Sequence, residues 1–172
     1  MAHGILICGA NGSGKTTLGR ELARILGFKH IDHEDYCFEK SDIPYTVERP
    51  FEKTVELMLT DIKECNGFVL SSVTGNFGDE MESLYDLAVY LEAPLELRVE
   101  RVRQRNDERF GDRVRQGGDM YEHTKAFVEF ISTRPLSIVE QYAETLKCPI
   151  IRIDGTADYI KSAADIASRF FT

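Results

Sequence analysis

The stretch Gly9-Ala10-Asn11-Gly12-Ser13-Gly14-Lys15-Thr16 decides the fold, because it has the spacing G-x-x-x-x-G-K-S/T of a loop that cradles phosphate groups. An apolar run at residues 5–8 precedes it and predicts a buried strand. Apolar side chains then recur with helical spacing over residues 18–26, and Gly27 stands where a helix C-cap glycine is expected. The motif therefore lies between a strand and a helix, as its chemistry requires, and a glycine-rich turn without function is the disfavoured interpretation.

The residue types of this loop suit a bound triphosphate. Gly9, Gly12 and Gly14 allow the backbone to turn tightly and to bring its N–H groups to phosphate oxygens. The amino terminus of the following helix adds a favourable potential for an anion. Lys15 can neutralise the outer phosphates, and the Thr16 hydroxyl can ligate Mg²⁺. We therefore expect ATP and Mg²⁺ as cofactors. The other loop residues expected to contact the nucleotide are Asn11, Ser13 and Thr17.

The composition narrows the class of protein. The 172 residues predict a single domain over 1–172, and the net charge of −8 argues against a nucleic-acid binder. No apolar run reaches the roughly 18 residues of a membrane span and no signal-type segment is visible, so we expect a cytoplasmic protein without membrane contact. The four cysteines match no zinc or C-x-x-C spacing and are expected to be reduced. We expect a monomer or weak homodimer whose partners are a nucleotide and a small-molecule acceptor.

Five short apolar runs predict strands that alternate with helical patterns, and they lie at residues 5–8, 28–31, 68–73, 87–91 and 150–153. This alternation predicts an α/β fold, a parallel sheet covered by helices on both faces, and hence three layers. The helix that opens at Pro94 is expected to end near Asn106, because Gly111, Gly117 and Gly118 interrupt the segment that follows.

Two loops at the carboxyl ends of predicted strands carry candidate site residues. Asp32, Glu34 and Asp35 follow the second strand, at the edge of the sheet where ligands bind in open α/β folds. One of these acids could orient an acceptor hydroxyl and take its proton, and the alternative is a solvated acidic loop. The loop after the third strand offers Thr74 and Asn76, which either contact a substrate or the γ-phosphate or only satisfy turn geometry.

A dense run of arginines is the second strong signal in this acidic chain. Seven arginines lie between residues 98 and 115, on a predicted helix and a glycine-rich segment. Arginines on a glycine-hinged loop suit a mobile lid that closes over phosphates, and we place this lid at about 105–120. Arg105, Arg109 and Arg113 are the candidate catalytic arginines. Arg98 and Arg103 are instead expected on a solvated helix face, paired with nearby glutamates.

The chain as a whole resembles the small P-loop kinases, the group of nucleoside-monophosphate, shikimate and gluconate kinases. The resemblance rests on the loop at 9–16, the acidic cluster at 31–35, the segment 91–94 that leads to Arg101 and Arg105, and the segment 153–156. It implies a P-loop NTPase fold with strand order 2-3-1-4-5, a substrate-binding helical segment at about 33–66, and an arginine-rich lid.

The resemblance also implies roles for individual residues. Arg101 would lie over the nucleotide base, and Arg105 would approach the phosphates. The backbone of Asp154, Gly155 and Thr156 would border the base.

On the acceptor side, Asp32 and Glu34 resemble the Asp-x-Asp of shikimate and gluconate kinases, where the acids serve the water shell of the metal and the acceptor hydroxyl. Since the third strand carries no acid, Asp32 is the expected metal group beside Thr16. Arg134 resembles the substrate arginine of shikimate kinases, and the predicted acceptor contacts also include Gly75 between Thr74 and Asn76.

The acceptor itself stays open, because the loop after the third strand departs from the family patterns. It has neither the Asp-Gly-x-Pro-Arg of nucleoside-monophosphate kinases nor the Gly-Gly-Gly of shikimate kinases. The sequence therefore favours an ATP-dependent phosphotransferase that acts on a small hydroxylated metabolite. The alternatives are a nucleoside-monophosphate kinase and a non-catalytic, regulatory ATP-binding module.

Overall fold

The computed structural model describes residues 3–170 and shows strands and helices in alternation. The strands are β1 (His3–Cys8), β2 (Lys29–Asp32), β3 (Gly67–Ser72), β4 (Tyr85–Glu92) and β5 (Ile150–Asp154). The helices are α1 (Lys15–Leu26), α2 (His33–Cys37), α3 (Phe51–Lys63), α4 (Asp79–Glu82), α5 (Leu95–Phe110), α6 (Tyr121–Thr133), α7 (Ser137–Thr145) and α8 (Tyr159–Phe170). A 3-10 turn, Gly111–Val114, follows α5.

The strands form one parallel sheet in the order β2-β3-β1-β4-β5, which confirms the predicted fold class and strand order. β1 lies at the centre, and apart from its first residue its side chains are buried, because helices cover both faces of the sheet. Ile5 and Ile7 pack in one apolar cluster with α1 and α8. Leu6 and Cys8 point to the opposite face and pack in a second cluster with α3 and α7.

The register of the sheet brings the predicted site segments to one edge. Cys8, the last residue of β1, pairs with Ser72, and Asp32, the last residue of β2, pairs with Ser71. The loop at 9–14, the start of α2 and the loop after β3 therefore all leave the sheet at its carboxyl edge. This is the edge where α/β sheets bind their ligands.

Helix α5 is longer than the sequence predicts. It continues past Asn106 to Phe110 and ends only at Gly111, which has a left-handed φ of 53°. The expected end near Asn106 is wrong because residues 107–110 contain no helix breaker, and the first glycine of the segment marks the true end. Arg109 consequently lies on a helix and not on a loop.

Two further observations concern the whole described chain. The four cysteines are free thiols, as predicted from their spacing. Within residues 3–170 there is no helix with both the length and the apolar character needed to cross a membrane.

Candidate active site

A cavity of about 1260 Å³ opens at the carboxyl edge of the sheet. Its lining comes from the phosphate loop and α1, from the start of α2, from the loop after β3, and from α5, α6 and the loop after β5. Most of the predicted site residues share this cavity. They are Asn11, Gly12, Ser13, Gly14, Lys15, Thr16, Thr17, Asp32, Glu34, Asp35, Thr74, Asn76, Arg101, Arg105, Arg109, Arg134, Asp154 and Gly155.

Four predicted residues lie outside this lining: Gly9, Gly75, Thr156 and Arg113, the last of which is described below. Gly9 lies beneath the phosphate loop, where a Cβ would come within 2.4 Å of the Leu91 carbonyl oxygen. Gly75 is buried, and its carbonyl oxygen accepts a hydrogen bond of 3.0 Å from the Tyr85 hydroxyl. The Thr156 hydroxyl donates to Asp154 Oδ1 at 2.7 Å and closes its own turn. These residues shape the walls of the cavity, and ligand contact by Gly9, by Gly75 and by the Thr156 backbone stays a prediction.

The phosphate loop has the geometry that its glycines predict. Gly12 and Gly14 have φ values of 80° and 104°, in the left-handed region that other residues rarely adopt. Lys15 Nζ donates to the Ala10 carbonyl oxygen at 3.0 Å, across the loop. Burial lowers the pKa of the Lys15 ammonium to about 8, while the carboxylates of Glu34 and Asp32 act in the opposite direction. Lys15 is therefore still cationic at neutral pH.

Two donors at the loop have no hydrogen-bond partner among the described residues. They are the Ser13 hydroxyl, on a side chain that is 1% exposed, and Nε of Arg105. Buried polar groups are normally paired, since an unpaired group costs roughly 1–3 kcal/mol. Both residues line the cavity beside Lys15. The site therefore fits an anionic ligand with several acceptor oxygens, such as the triphosphate of ATP.

Thr16 and Asp32 are joined by a hydrogen bond, in which the Thr16 hydroxyl donates to Asp32 Oδ2 at 2.7 Å. Asp32 Oδ1 accepts from the Glu34 backbone N–H at 3.2 Å and so caps α2. The described residues contain no cluster of three or more His, Cys, Asp or Glu side chains that could hold a metal. Mg²⁺ does not need such a cluster, because it often binds through one or two protein oxygens with phosphates and water. The oxygens of Thr16 and Asp32 fit that mode.

The three acids of the cluster differ in environment. Glu34 is partly buried in the cavity wall, and both its burial and the Asp32 carboxylate raise its pKa. Asp35 is more exposed than Glu34, and its partial burial and the Asp32 carboxylate raise its pKa. Asp32 is held by Thr16 and by the α2 backbone, as described above. The cluster therefore combines one anchored carboxylate with two whose pKa is raised.

Arg98 corrects a sequence prediction. Its side chain is not on a solvated face but is 4% exposed. Arg98 Nε donates to the Ala93 carbonyl oxygen at 3.1 Å, and one terminal nitrogen donates to the Asn11 carbonyl oxygen at 3.2 Å. The helical spacing of the sequence could have indicated this burial, because Arg98 lies four residues before Val102 and therefore on the same, buried face of α5. Arg103 is exposed, as predicted.

Arg101, one turn further along α5, also holds the phosphate loop. Its two terminal nitrogens donate to the carbonyl oxygens of Ser13 at 2.9 Å and of Gly155 at 2.8 Å. Gly155 has no room for a side chain, since a Cβ there would lie 2.7 Å from the Glu92 carbonyl oxygen. Arg101 therefore ties the phosphate loop to the loop after β5, at the end of the cavity that the family resemblance assigns to the base.

Arg109 and Arg113, which the sequence analysis assigns to a lid, contact a hairpin at residues 37–49 that was not predicted. One terminal nitrogen of Arg109 donates to the Tyr45 hydroxyl at 3.2 Å. Arg113 forms an ion pair with Asp119 at 2.8 Å and donates to the Asp42 carbonyl oxygen at 2.7 Å. Arg113 thus lies outside the cavity lining, and its contact with the phosphates stays a prediction. Tyr45 was missed because its partner lies 64 residues away, and no local pattern reports such a contact.

The remaining wall combines arginine with aromatic side chains. Arg134 donates to the Asn11 side-chain oxygen at 3.2 Å and lies over the Phe130 ring, 5.3 Å from its centroid. The Phe51 and Phe77 rings also line the cavity and stack with centroids 6.3 Å apart, and Phe51 is 54% exposed. The cavity lining therefore offers apolar ring faces as well as positive charge.

The chain matches a protein-family model and is similar in sequence to known proteins. The family model described as "AAA domain" matches residues 5–120. The chain is 31% identical over 180 residues to the uncharacterized protein YqaC of Bacillus subtilis, and the alignment covers 94% of this chain and 99% of that protein.

Two kinases are also similar in sequence. A shikimate kinase of Actinobacillus pleuropneumoniae is 31% identical over 110 residues, which cover 58% of this chain and 64% of that enzyme. A cytidylate kinase of Pyrococcus furiosus is 33% identical over 114 residues, which cover 59% and 56%. The chain thus matches less than two thirds of the length of either kinase.

The fold is shared with a solved shikimate kinase from Acinetobacter baumannii in complex with shikimate. The TM-score is 0.60 at 19% identity, and the superposition covers 99% of this chain and 94% of that one. At this identity the likeness shows the fold alone.

Proposed function

Since the chain belongs to the AAA-domain family and is similar to small P-loop kinases, we propose that it transfers the γ-phosphoryl group of ATP to a hydroxyl group of a small metabolite. The observation that carries this proposal is the hydrogen bond between Thr16 and Asp32, with Glu34 beside it in the same cavity. It brings the Thr16 hydroxyl, which we expect to ligate Mg²⁺, within reach of an acidic cluster. A passive nucleotide binder has no need of that cluster.

The phosphate loop binds and orients the nucleotide. Its backbone N–H groups face the phosphate oxygens, and Lys15 balances the charge of the outer phosphates. Ser13 and Arg105 supply the two donors that are otherwise unpaired. Thr16 and Asp32 would hold Mg²⁺, which when bound neutralises further charge on the phosphate oxygens.

The transfer step then needs a base and a stabilised phosphoryl group. An oxygen of the acceptor hydroxyl forms the new bond to the γ-phosphorus, the bond from that phosphorus to the bridging oxygen breaks, and ADP leaves. Glu34 takes the acceptor proton, because its raised pKa makes it a better base near neutral pH than an ordinary carboxylate. Asp32 is committed to Thr16 and orients the cluster. Arg105 and Arg109 offset the charge that spreads over the phosphoryl oxygens.

The test is a screen for acceptor-stimulated release of ADP, with a library of hydroxylated metabolites at fixed MgATP. We expect at least one acceptor to raise ADP release well above the rate with water alone. The control is Lys15→Ala, which should fold normally and lose turnover because the outer phosphates lose their cation. Normal acceptor-dependent turnover by a folded Lys15→Ala protein would exclude the proposal, and ATP binding without any acceptor-dependent turnover would favour a regulatory module.

A nucleoside monophosphate is a second candidate acceptor. Arg109 and Arg134 contact neutral oxygens, those of Tyr45 and Asn11, so their charges are available to an acceptor anion. The exposed ring of Phe51 would suit a planar base. The cytidylate kinase relative is consistent with this candidate. Formation of a nucleoside diphosphate from AMP, CMP or UMP in the same assay distinguishes a nucleoside-monophosphate acceptor from a hydroxylated metabolite.

A further inference from the structure

Tyr45 has an unusual backbone conformation. Its φ is 64°, and within residues 3–170 it is the one residue other than glycine with a positive φ. The left-handed region is unfavourable for a bulky side chain, and residues persist there where the surrounding structure requires it. Backbone strain of this kind is common at functional sites.

The segment around Tyr45 is a built hairpin and not a loose loop. An antiparallel bridge joins Phe38 and Glu48, and two backbone hydrogen bonds of 2.8 and 2.7 Å flank it, from Glu39 to Val47 and from Arg49 to Cys37. The hydroxyls of Ser41 and Thr46 both donate to the Ile43 carbonyl oxygen at 2.6 Å. These bonds hold the tip of the hairpin in a conformation that Tyr45 alone would not favour.

The hairpin directs Tyr45 into the candidate active site. Its ring packs edge-to-face on Phe38 with centroids 5.7 Å apart, and both residues line the cavity. The hydroxyl then accepts a hydrogen bond from Arg109, and Arg113 donates to the backbone of Asp42 at the same hairpin tip. Two arginines of the lid are therefore attached to the hairpin from across the cavity.

The hydrogen-bond partner of Arg109 determines how much of the arginine's charge stays available to a ligand. Arg109 lines the same cavity as Glu34 and Asp35, the carboxylates near which transfer is proposed to occur, and its positive charge offsets part of the rise in their pKa. A carboxylate partner would cancel that charge. The neutral phenol of Tyr45 fixes one N–H group of the guanidinium and leaves the charge and the other N–H groups available.

We propose that Tyr45 is a positioning residue, whose hydroxyl holds Arg109 where it can stabilise the transferring phosphoryl group. The hairpin at 37–49, and not the lid alone, then determines where this arginine lies. The inference rests on the proposed phosphoryl transfer, and it assigns to the hairpin a role in the chemical step in addition to any contact with the acceptor.

The test compares two probes, MgADP alone and MgADP with aluminium fluoride, which imitates the planar phosphoryl group. Tyr45→Phe keeps the ring on Phe38 and removes only the hydroxyl. We expect it to weaken binding of the fluoride complex about tenfold and to change MgADP binding less than twofold. Arg109→Ala should show the same selectivity, and the double variant should bind no more weakly than Arg109→Ala alone. Tyr121→Phe, which removes a hydroxyl outside the cavity lining, is the matched control.

Two outcomes would overturn the proposal: unchanged binding of the fluoride complex by Tyr45→Phe, or losses that add in the double variant. A nucleotide-free measurement separates this failure from failure of the proposed function. Arg109→Ala should speed hydrogen exchange of the hairpin amides of Glu39 and Arg49, since the hairpin loses its partner. If wild-type protein binds no MgADP, phosphoryl transfer is excluded, and unchanged exchange would additionally exclude the Tyr45–Arg109 contact.

Discussion

The guanidinium of Arg98 is a buried cation whose observed partners are backbone carbonyl oxygens. Burial of a charge costs free energy unless hydrogen bonds compensate it. Here one of these hydrogen bonds fixes the Asn11 carbonyl group in the phosphate loop. The backbone of Arg98 also lies against Gly12, where a Cβ would come within 2.5 Å of the Arg98 carbonyl oxygen. One residue thus links the first turn of α5 to the conformation of the loop.

Replacement of Arg98 should consequently affect both folding and nucleotide binding. Arg98→Met keeps the length of the side chain but leaves two carbonyl oxygens with fewer partners. We expect a loss of about 1–3 kcal/mol in the free energy of unfolding and about tenfold weaker MgATP binding. Arg103→Met, on the exposed side of the same helix, should change neither by more than its experimental error. Urea unfolding and calorimetric titration measure the two quantities, and equal effects of the two variants would contradict this role.

The acids at the end of β2 should divide their tasks. Glu34→Gln removes the proposed base and should lower kcat by about 10²–10⁴ with little change in KM for MgATP. Asp32→Asn weakens the group that holds Thr16, so it should raise the Mg²⁺ concentration needed for half-maximal rate. Steady-state kinetics over a range of Mg²⁺ concentrations separates these effects. Wild-type kinetics for both variants would mean that the cluster is only a solvated loop.

The pH dependence follows from two pKa shifts of opposite direction. The pKa of Lys15 is lowered to about 8, so above this pH the free enzyme loses the charge that attracts phosphate. We expect kcat/KM for MgATP to fall as the pH rises through about 8, whereas kcat should persist to higher pH because bound phosphates favour the charged ammonium. On the acid side, kcat should fall as Glu34 becomes protonated, at a higher pH than for an ordinary glutamate because the Glu34 pKa is raised. A pH-independent kcat/KM between 7 and 9 would contradict the first part.

At the scale of elements, α5 presents two sets of residues at helical spacing. Arg98, Val102 and Asn106 form its buried face, while Arg101, Arg105 and Arg109 line the cavity. Arg105 and Arg109 were predicted from the dense run of arginines, and Arg101 from the family resemblance. The burial of Arg98 was not predicted, since arginine in a charged run is usually solvated.

The two lid arginines should therefore differ in importance. Arg109→Ala should lower kcat about 10²–10⁴-fold while MgATP binding changes little, following the arginine-finger effect of roughly 10³–10⁵. Arg113→Ala removes an exposed ion pair with Asp119 and a contact with the hairpin, and should cost less than tenfold in kcat. Steady-state kinetics on the two variants is the measurement. Equal and small effects would indicate that this end of α5 is only a charged surface.

Other elements show why prediction succeeded for the fold and only partly for the site. The central strand and the loop after it were readable because apolar runs and glycine spacing are local signals. Helices α2 and α4 were not predicted, since five and four residues are too few to show a helical period. The contact between Tyr45 and Arg109 joins segments from opposite walls of the cavity, and only the assembled fold creates it.

At the scale of the whole molecule, nucleotide binding should stabilise the native state. The phosphate loop is held by β1, α5 and the loop after β5, so a ligand that binds it is linked to the global unfolding equilibrium. At 100 times its Kd, MgATP should add about 2.7 kcal/mol, which thermal unfolding would show as a higher Tm. Lys15→Ala should unfold at nearly the wild-type Tm without nucleotide and gain little from MgATP. A full nucleotide shift in that variant would contradict the assigned site.

The length of helix α5 sets the distance and the direction of its arginines relative to the phosphate loop, so the site is sensitive to insertions and deletions in this helix. Each helical residue turns the chain by about 100°, so deleting one residue after Gln104 would swing the following arginines to another side of the helix. The hydrogen bonds of Arg98 and Arg101, the two clamps of the phosphate loop, would stay in place. The protein would therefore keep its phosphate loop, while the arginines after residue 104 would no longer face the cavity. Related chains can therefore differ freely in residue identity on the solvent side of α5, but a change in its length between the clamps and Arg109 would separate nucleotide binding from phosphoryl transfer.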